Sequence, residues 1–235
     1  MDNAQHDAPG LHRSRGEQPI QAVLFDRDGV LTYFDVESAT AFFRPLMPLT
    51  VFELGERWQA MGAASGFPRN IAEEKTFFAR FWQQLSKDFH LTPQQLTTLE
   101  ALDYTRFIVP YPEVRTVLEQ LYSAGIRMGV LSNFSLASLE QSLVTAGLAN
   151  FFTVMCSASG SGAAKPAPEA YEIAVSALGV RPENCLFFDD ETECVEGARR
   201  AGLRAYLVAR QATLQDPPLA AIEDLRSVPL LALRR

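Results

Sequence analysis

The chain has 235 residues, of which 47% are hydrophobic and 21% charged, and its 28 acidic and 21 basic side chains give a net charge of −7. These ordinary globular values exclude disordered, collagen-like and coiled-coil chains, and three scattered cysteines argue against a disulfide framework and a zinc site. The acidic balance and the lack of a long Lys/Arg block argue against nucleic acid or a membrane surface as partners.

The N-terminal part of the chain predicts a leader followed by a buried strand. Residues 1–19 are polar and lack the apolar stretch of a signal peptide, so we interpret them as a disordered leader. With no apolar segment of membrane-span length, we expect a cytoplasmic protein. Residues 20–25 form a short apolar run rich in β-formers that ends in the polar turn Asp26-Arg27-Asp28-Gly29. Such a run predicts a buried strand that enters a loop.

Residues 35–108 differ in composition from the rest and predict a small all-helical domain. Glutamine, glutamate, phenylalanine and alanine dominate there, and no convincing strand is present. Helical spacing covers four segments, residues 37–43, 50–61, 71–89 and 93–104. Thr92 and Pro93 are typical of a helix start, with threonine as the N-cap and proline at the first helical position.

From residue 109 onward, predicted helices and strands alternate. The strands cover residues 126–131, 152–156, 185–188 and 204–208, and the helices cover residues 113–124, 136–146, 168–178 and 193–201. A glycine follows each of these helices, as is usual for a left-handed C-cap. This alternation predicts βαβ units and a parallel sheet, whose core comprises residues 20–34 and 109–235. The apolar residues 219–233 are compatible with packing against that core or against a partner.

Polar and charged residues follow four of the predicted strands. In chain order they are Asp26 and Asp28, then Ser132 and Asn133, then Lys165, then Asp189 and Asp190. Ligands of doubly wound sheets bind at the carboxyl ends of the strands, so we expect these groups to meet in one crevice. The clustered carboxylates require a cation, and Mg²⁺ binds carboxylates together with phosphate oxygens. The residues therefore predict a phosphate site with a carboxylate nucleophile.

Four motifs, in this order, resemble those of the haloacid dehalogenase-like (HAD) superfamily of hydrolases. They are Asp26 to Thr32, Ser132-Asn133, Lys165-Pro166 and Phe187 to Asp190, and the resemblance covers roughly residues 20–210. It implies an α/β fold with a doubly wound, Rossmann-like parallel sheet in the strand order 3-2-1-4-5. The helical segment lies where subfamily I of that superfamily has its inserted type 1 cap.

The resemblance also implies a catalytic or binding role for residues of the first three motifs. Asp26 would be the nucleophile and form an aspartyl-phosphate. Asp28 would protonate the leaving oxygen and then activate water. Ser132, Asn133 and Lys165 would bind the phosphoryl group, and Lys165 would also stabilise the charge of the transition state.

The resemblance implies a Mg²⁺ site at the same place. Asp26 and the backbone carbonyl of Asp28 would be ligands, Asp190 would be the third protein ligand, and Asp189 would support it or share in the binding. The chain departs from many relatives four residues after Asp190, where Cys194 replaces a further acid. Either Glu193 or Glu191 is a candidate for the missing carboxylate.

The leading interpretation is a Mg²⁺-dependent phosphatase that acts on a small phosphorylated metabolite. Two alternatives from the same superfamily are a 2-haloacid dehalogenase and a phosphosugar mutase, and a third is a non-catalytic binding protein on the same fold. Dehalogenation needs no acid two residues after the nucleophile, so Asp28 favours phosphoryl chemistry. The presence of Asp26, Asp28 and Lys165 together argues against a non-catalytic protein.

Overall fold

The structure is a computed structural model that describes residues 19–133, 138–210 and 220–234, apart from the side chains of residues 159 and 160. The predicted leader therefore lies outside the described residues, except for Pro19. The strands of the described part are β1 (Ala22–Phe25), β2 (Thr32–Phe34), β3 (Ile108–Pro110), β4 (Arg127–Ser132), β5 (Val154–Ser157), β6 (Cys185–Asp189), β7 (Arg204–Val208) and β8 (Ala221–Ile222).

Within the described ranges, four helices lie in the middle of the chain and six lie after β3. They are α1 (Val36–Phe43), α2 (Val51–Ser65), α3 (Ile71–Phe89), α4 (Pro93–Glu100), α5 (Val114–Ser123), α6 (Leu139–Thr145), α7 (Ala158–Ser161), α8 (Pro168–Leu178), α9 (Thr192–Arg200) and α10 (Val228–Ala232). Within the described residues, no helix combines the length and the apolar composition needed to cross a bilayer.

Six strands form one parallel sheet in the order β5-β4-β1-β6-β7-β8. Counted in chain order within this sheet, the first five strands follow the predicted order 3-2-1-4-5, which is thereby confirmed. Strand β8 has two residues and was not predicted, because so short a segment has no detectable alternation of polar and apolar residues.

Both faces of the sheet are buried, which explains why its strands are continuous apolar runs. In β1, Val23 and Phe25 belong to one hydrophobic cluster, whereas Ala22 and Leu24 belong to another on the opposite face. Helices α5, α6 and α10 contribute to the first cluster, and α8 and α9 to the second. Among the apolar C-terminal residues, Val228 therefore packs against the chain's own core.

The four helices α1–α4 lie between two short strands that pair with each other. Strands β2 and β3 are antiparallel, with Phe34 opposite Ile108, so the chain leaves for the helices and returns from them side by side. The helices share a separate hydrophobic cluster. Thr92 caps α4 as predicted. That helix ends at Glu100 rather than residue 104, because Asp103 accepts a hydrogen bond from the backbone N–H of Thr105 and begins a 3₁₀ turn.

Candidate active site

Asp26 and Asp189 lie side by side because their strands are neighbours in register. Strands β1 and β6 are parallel, with Phe25 opposite Phe188. Asp26 directly follows Phe25, and Asp189 directly follows Phe188. Both carboxylates are buried, with exposed fractions of 7% for Asp26 and 0% for Asp189. The sheet register alone therefore places two acids together at the carboxyl ends of the central strands.

Lys165 connects these two carboxylates. Its Nζ donates to Oδ1 of Asp26 at 2.7 Å and to Oδ2 of Asp189 at 2.7 Å. Burial would lower the pKa of Lys165, but the two carboxylates outweigh it and raise the pKa, so the ammonium stays charged. Burial raises the pKa of Asp26, assisted by the Asp189 charge and opposed by Lys165. Burial likewise raises the pKa of Asp189 against the same lysine.

A third carboxylate, that of Asp190, completes a set of oxygens suited to a metal. One oxygen each of Asp26, Asp189 and Asp190 lies within 4.8 Å of the others. Burial, followed by the charge of Asp189, raises the pKa of Asp190 to about 6. A cation among the three would relieve this repulsion, and an all-oxygen set is what Mg²⁺ prefers. These residues fit the ion that the sequence predicts.

Gly29 makes room for this carboxylate set. A Cβ at position 29 would overlap the Asp190 carboxylate, and the residue has a φ of +74°, which glycine adopts without strain. The loop after β1 therefore approaches Asp190 more closely than a loop with a side chain at this position would allow. This close approach brings the backbone around Asp28 towards the carboxylate cluster.

Arg27 holds the carboxylate of Asp28. Its side chain is buried, with 1% exposed, and its Nε donates to Oδ1 of Asp28 at 3.1 Å. Its Nη1 donates to Oγ of Ser142 on α6 at 3.0 Å, which fixes the guanidinium from the other side. The side chain of Asp28 is 49% exposed and remains accessible to a ligand. This role of Arg27 was not predicted, although a charged residue between two aspartates was a signal.

Arg210 is a second residue that the sequence analysis missed. Its guanidinium donates from Nε to the backbone carbonyl of Gly29 at 3.0 Å and from Nη1 to the Glu113 carboxylate at 2.7 Å. It also lies over the ring of Tyr111, 3.5 Å from the centroid. Arg210 thus holds the loop that follows Asp28 through the backbone of Gly29, and no local pattern in the sequence indicated this.

The predicted Ser132 is the last residue of β4, and Asn133 follows it. Strand β4 pairs with β1 on the side away from β6. Ser132 is buried. The amide of Asn133 donates from Nδ2 to the backbone carbonyl of Lys165 and accepts at Oδ1 from the Lys165 N–H, both at 2.8 Å. Asn133 thereby positions the loop that carries Lys165. Its predicted contact with substrate stays a prediction.

Of the two candidates for the missing acid, the structure places Glu191 near the site. Its Oε2 accepts a hydrogen bond from the Cys194 thiol at 3.1 Å, and its backbone N–H donates to Oδ1 of Asp189 at 2.9 Å. Burial raises the pKa of the Cys194 thiol, which therefore stays neutral. Glu193 is exposed. The carboxylate close to Asp189 thus belongs to Glu191, the residue before α9, rather than to a residue in the first turn of α9.

A buried polar contact joins the helical segment to the core near Ser138. The Ser138 N–H donates to Oε2 of Glu74 on α3 at 3.0 Å, and the hydroxyls of Ser138 and Tyr104 are hydrogen-bonded. Burial, with the charge of Glu74, raises the pKa of Tyr104, so its hydroxyl keeps its proton. Glu74 is 6% exposed, although its position in an amphipathic helix gave no sign of burial.

Comparison with known proteins identifies the family of the chain. A model described as a haloacid dehalogenase-like hydrolase matches residues 20–202. The chain is 40% identical over 211 residues to Phosphatase MT3486 of Mycobacterium tuberculosis (strain CDC 1551 / Oshkosh), covering 89% of this chain and 95% of that protein. It is 28% identical over 222 residues to (S)-2-haloacid dehalogenase 2 of Pseudomonas sp. (strain CBS-3), covering 91% and 96%.

A solved structure extends the likeness to the fold. The L-2-haloacid dehalogenase of Xanthobacter autotrophicus matches with a TM-score of 0.64 at 21% identity, over 90% of this chain and 98% of that one. At this identity the match shows a shared fold and leaves the reaction to be argued from the site.

Proposed function

The chain belongs to the haloacid dehalogenase-like hydrolases, and we propose that it acts there as a phosphatase that uses Mg²⁺ to hydrolyse a small phosphorylated metabolite. The observation that carries this proposal is the cluster of Asp26, Asp189 and Asp190, whose oxygens lie within 4.8 Å of one another. Such a cluster attracts a hard divalent cation, which phosphoryl transfer uses and halide displacement does not. The similarity to a protein named as a phosphatase supports the same choice.

Asp26 is the proposed nucleophile. A carboxylate oxygen attacks phosphorus, the bond from phosphorus to the leaving oxygen breaks, and an aspartyl-phosphate remains on the chain. Lys165 holds Oδ1 of Asp26 and fixes the rotation of the carboxylate. Its ammonium also lies beside the charge that develops on the phosphoryl oxygens, with Ser132 as a further donor. Mg²⁺, when bound at Asp26, Asp190 and the Asp28 carbonyl, would supply Lewis-acid chemistry.

Asp28 is the proposed general acid and base. It gives its proton to the leaving oxygen in the first step, which leaves it as a carboxylate. In the second step it takes a proton from water, whose oxygen attacks phosphorus and releases inorganic phosphate and free Asp26. Arg27 orients the carboxylate for both steps. We further propose that residues 35–108 act as a cap over the core of residues 20–34 and 109–235, and that this cap excludes water.

A second candidate is dehalogenation of a 2-haloacid, which the similarity to a protein of that name favours. Asp26 would then attack carbon and displace halide. Halide displacement requires neither a metal nor an acid two residues after the nucleophile. The presence of Asp28 and of the carboxylate cluster therefore favours phosphoryl transfer.

The test compares hydrolysis of p-nitrophenyl phosphate with and without Mg²⁺ by the wild-type chain and the Asp26→Asn variant. We expect turnover that requires Mg²⁺ and falls by at least about 10³-fold in the variant, because the nucleophile is lost. Asp88→Asn, which changes an exposed aspartate of α3, is the matched control and should keep wild-type turnover. Metal-independent halide release from 2-chloropropionate, without phosphate release, would contradict the proposal.

A further inference from the structure

A cavity of about 340 Å³ lies between the helical segment and the core, beside the proposed acid. Arg27 and Asp28 contribute its core side, and its other walls come from α1, α2, α3, β2 and the residues that lead into β3. Its volume is about eleven times the roughly 30 Å³ that one water molecule occupies in the liquid. The cavity therefore has room for a group of about ten non-hydrogen atoms next to the leaving oxygen.

The walls of this cavity are mainly aromatic. Eight of its fifteen lining residues are phenylalanine, tyrosine or tryptophan, including the buried Phe43, Phe81, Trp82 and Phe107. The charged lining residues among those described are Arg27 and Asp28, which bind each other. A group inside the cavity would thus meet ring faces and aliphatic carbons on most sides.

These walls discriminate between classes of leaving group. A sugar, an amino acid or a nucleoside would lose hydrogen bonds to water here and find few partners in exchange. An apolar group would exchange water for carbon surface, which is favourable. Because soluble proteins rarely expose large contiguous apolar surfaces, an open apolar space beside the proposed acid indicates a space that a ligand fills.

A second cavity of the structure is more polar than the aromatic cavity beside Asp28. It has a volume of about 800 Å³ and is lined by charged residues that include Glu74, Lys75, Glu100 and Asp103, but by neither Arg27 nor Asp28. Phe78, Trp82, Leu102 and Tyr104 line both spaces. The space whose lining includes the proposed acid is the apolar one.

We propose that the substrate is a phosphate monoester of an apolar alcohol or phenol, and that its hydrocarbon part binds in the aromatic cavity. This inference rests on the phosphatase function proposed above and names its substrate class. The phosphoryl group meets Asp26 and Lys165 at the strand ends, while the hydrocarbon extends past Asp28 into the helical segment. Sugar phosphates and phosphoamino acids are poor substrates in this arrangement.

The first test is a series of linear alkyl phosphates from ethyl to decyl, assayed with Mg²⁺ beside glucose 6-phosphate and phosphoserine. We expect kcat/KM to rise roughly threefold for each added methylene until the cavity is filled, because each methylene leaves water. The polar esters should react at least about 100-fold more slowly than octyl phosphate. Faster reaction of the polar esters would overturn the inferred substrate class and leave the phosphatase function intact.

A cavity-filling variant ties this preference to the structure. Gly55 on α2 lines the cavity, and a Cβ there would have no neighbour within 4 Å, so Gly55→Leu can enter the space without a clash. Leucine also favours a helix more than glycine does. We expect Gly55→Leu to lower kcat/KM for octyl phosphate about tenfold and to spare ethyl phosphate. Ala60→Leu, at an exposed position of the same helix, is the control.

A binding measurement separates the substrate class from the catalytic function. Both tryptophans of the chain, Trp58 and Trp82, line the cavity, so their fluorescence reports on its contents. Octylphosphonate, which cannot be hydrolysed, should change the emission in a saturable way, and the change should be weaker in Gly55→Leu. If the emission changes but no ester is hydrolysed, the phosphatase function alone is overturned. If the emission does not change, the inferred cavity ligand is overturned.

Discussion

At the strand ends, Asp26, Lys165 and Asp189 are buried and charged, and each is joined to a neighbour by a contact of 2.7 Å. The cavity beside the helical segment is partly open to solvent, and its walls are mainly aromatic rings. Burial therefore has two different uses in one site. In the core it strengthens electrostatic interactions, and in the helical segment it removes hydrocarbon from water. The difference supports the proposal that the core supplies the reaction and the helical segment selects the leaving group.

The largest effect is expected from Lys165→Met, which removes the cation from the charged region at the strand ends. The change leaves the Asp26 and Asp189 carboxylates buried without their shared cation. We expect kcat to fall by at least about 10³-fold and the free energy of unfolding to fall by about 3 kcal/mol. Steady-state kinetics and urea denaturation measure the two effects. Lys87→Met, at an exposed lysine of α3, should change neither, and an equal loss in both variants would contradict the prediction.

Asp28 lies where the two regions meet, and Asp28→Asn tests its role there. The amide keeps the shape of the side chain but cannot donate a proton to the leaving oxygen. We expect kcat for octyl phosphate to fall by about 10³-fold. The loss for p-nitrophenyl phosphate should be much smaller in the first step, because p-nitrophenolate leaves without protonation. Single-turnover release of p-nitrophenol measures that step, and equal losses for both esters would contradict a role as general acid.

The smallest expected effect concerns the contact that joins the two regions. Glu74→Gln weakens the acceptor for the Ser138 N–H while keeping the side-chain shape. We expect about 1 kcal/mol less stability and a KM that rises a few-fold with kcat nearly unchanged, because the helical segment is held less firmly over the core. Glu56→Gln, at an exposed glutamate of α2, is the control. A large loss of kcat would instead place Glu74 in the chemistry.

Much of the core was predictable because its signals are local. The apolar run before Asp26 and the run before Asp189 each indicate a buried strand that ends in acids, and parallel pairing then brings those acids together. The order of the five predicted strands is confirmed. The roles of Asp26, Asp28, Ser132 and Lys165 stay predictions, for which the structure supplies a geometry.

What escaped prediction depends on contacts between distant parts of the chain. Strands β2 and β3 have three residues each, too few for a periodic pattern, and they exist because they pair with each other. Glu74 and Ser138 are 64 residues apart, and the helical pattern around Glu74 indicates only an amphipathic helix. Arg27 is buried because Ser142 and Asp28 together satisfy its guanidinium, which no local rule anticipates.

The β2–β3 ribbon has a consequence for how such a protein can be rebuilt. Phe34 and Ile108 face each other across it, so the chain departs for the helices and comes back at almost the same place. Removing everything between them would leave two ends that a tight turn such as Asn-Gly could close into a hairpin. The same two ends would accept a different insert. Under the proposed function, the phosphate chemistry and the choice of leaving group would lie in separate modules, and both chain connections between them run through this one ribbon.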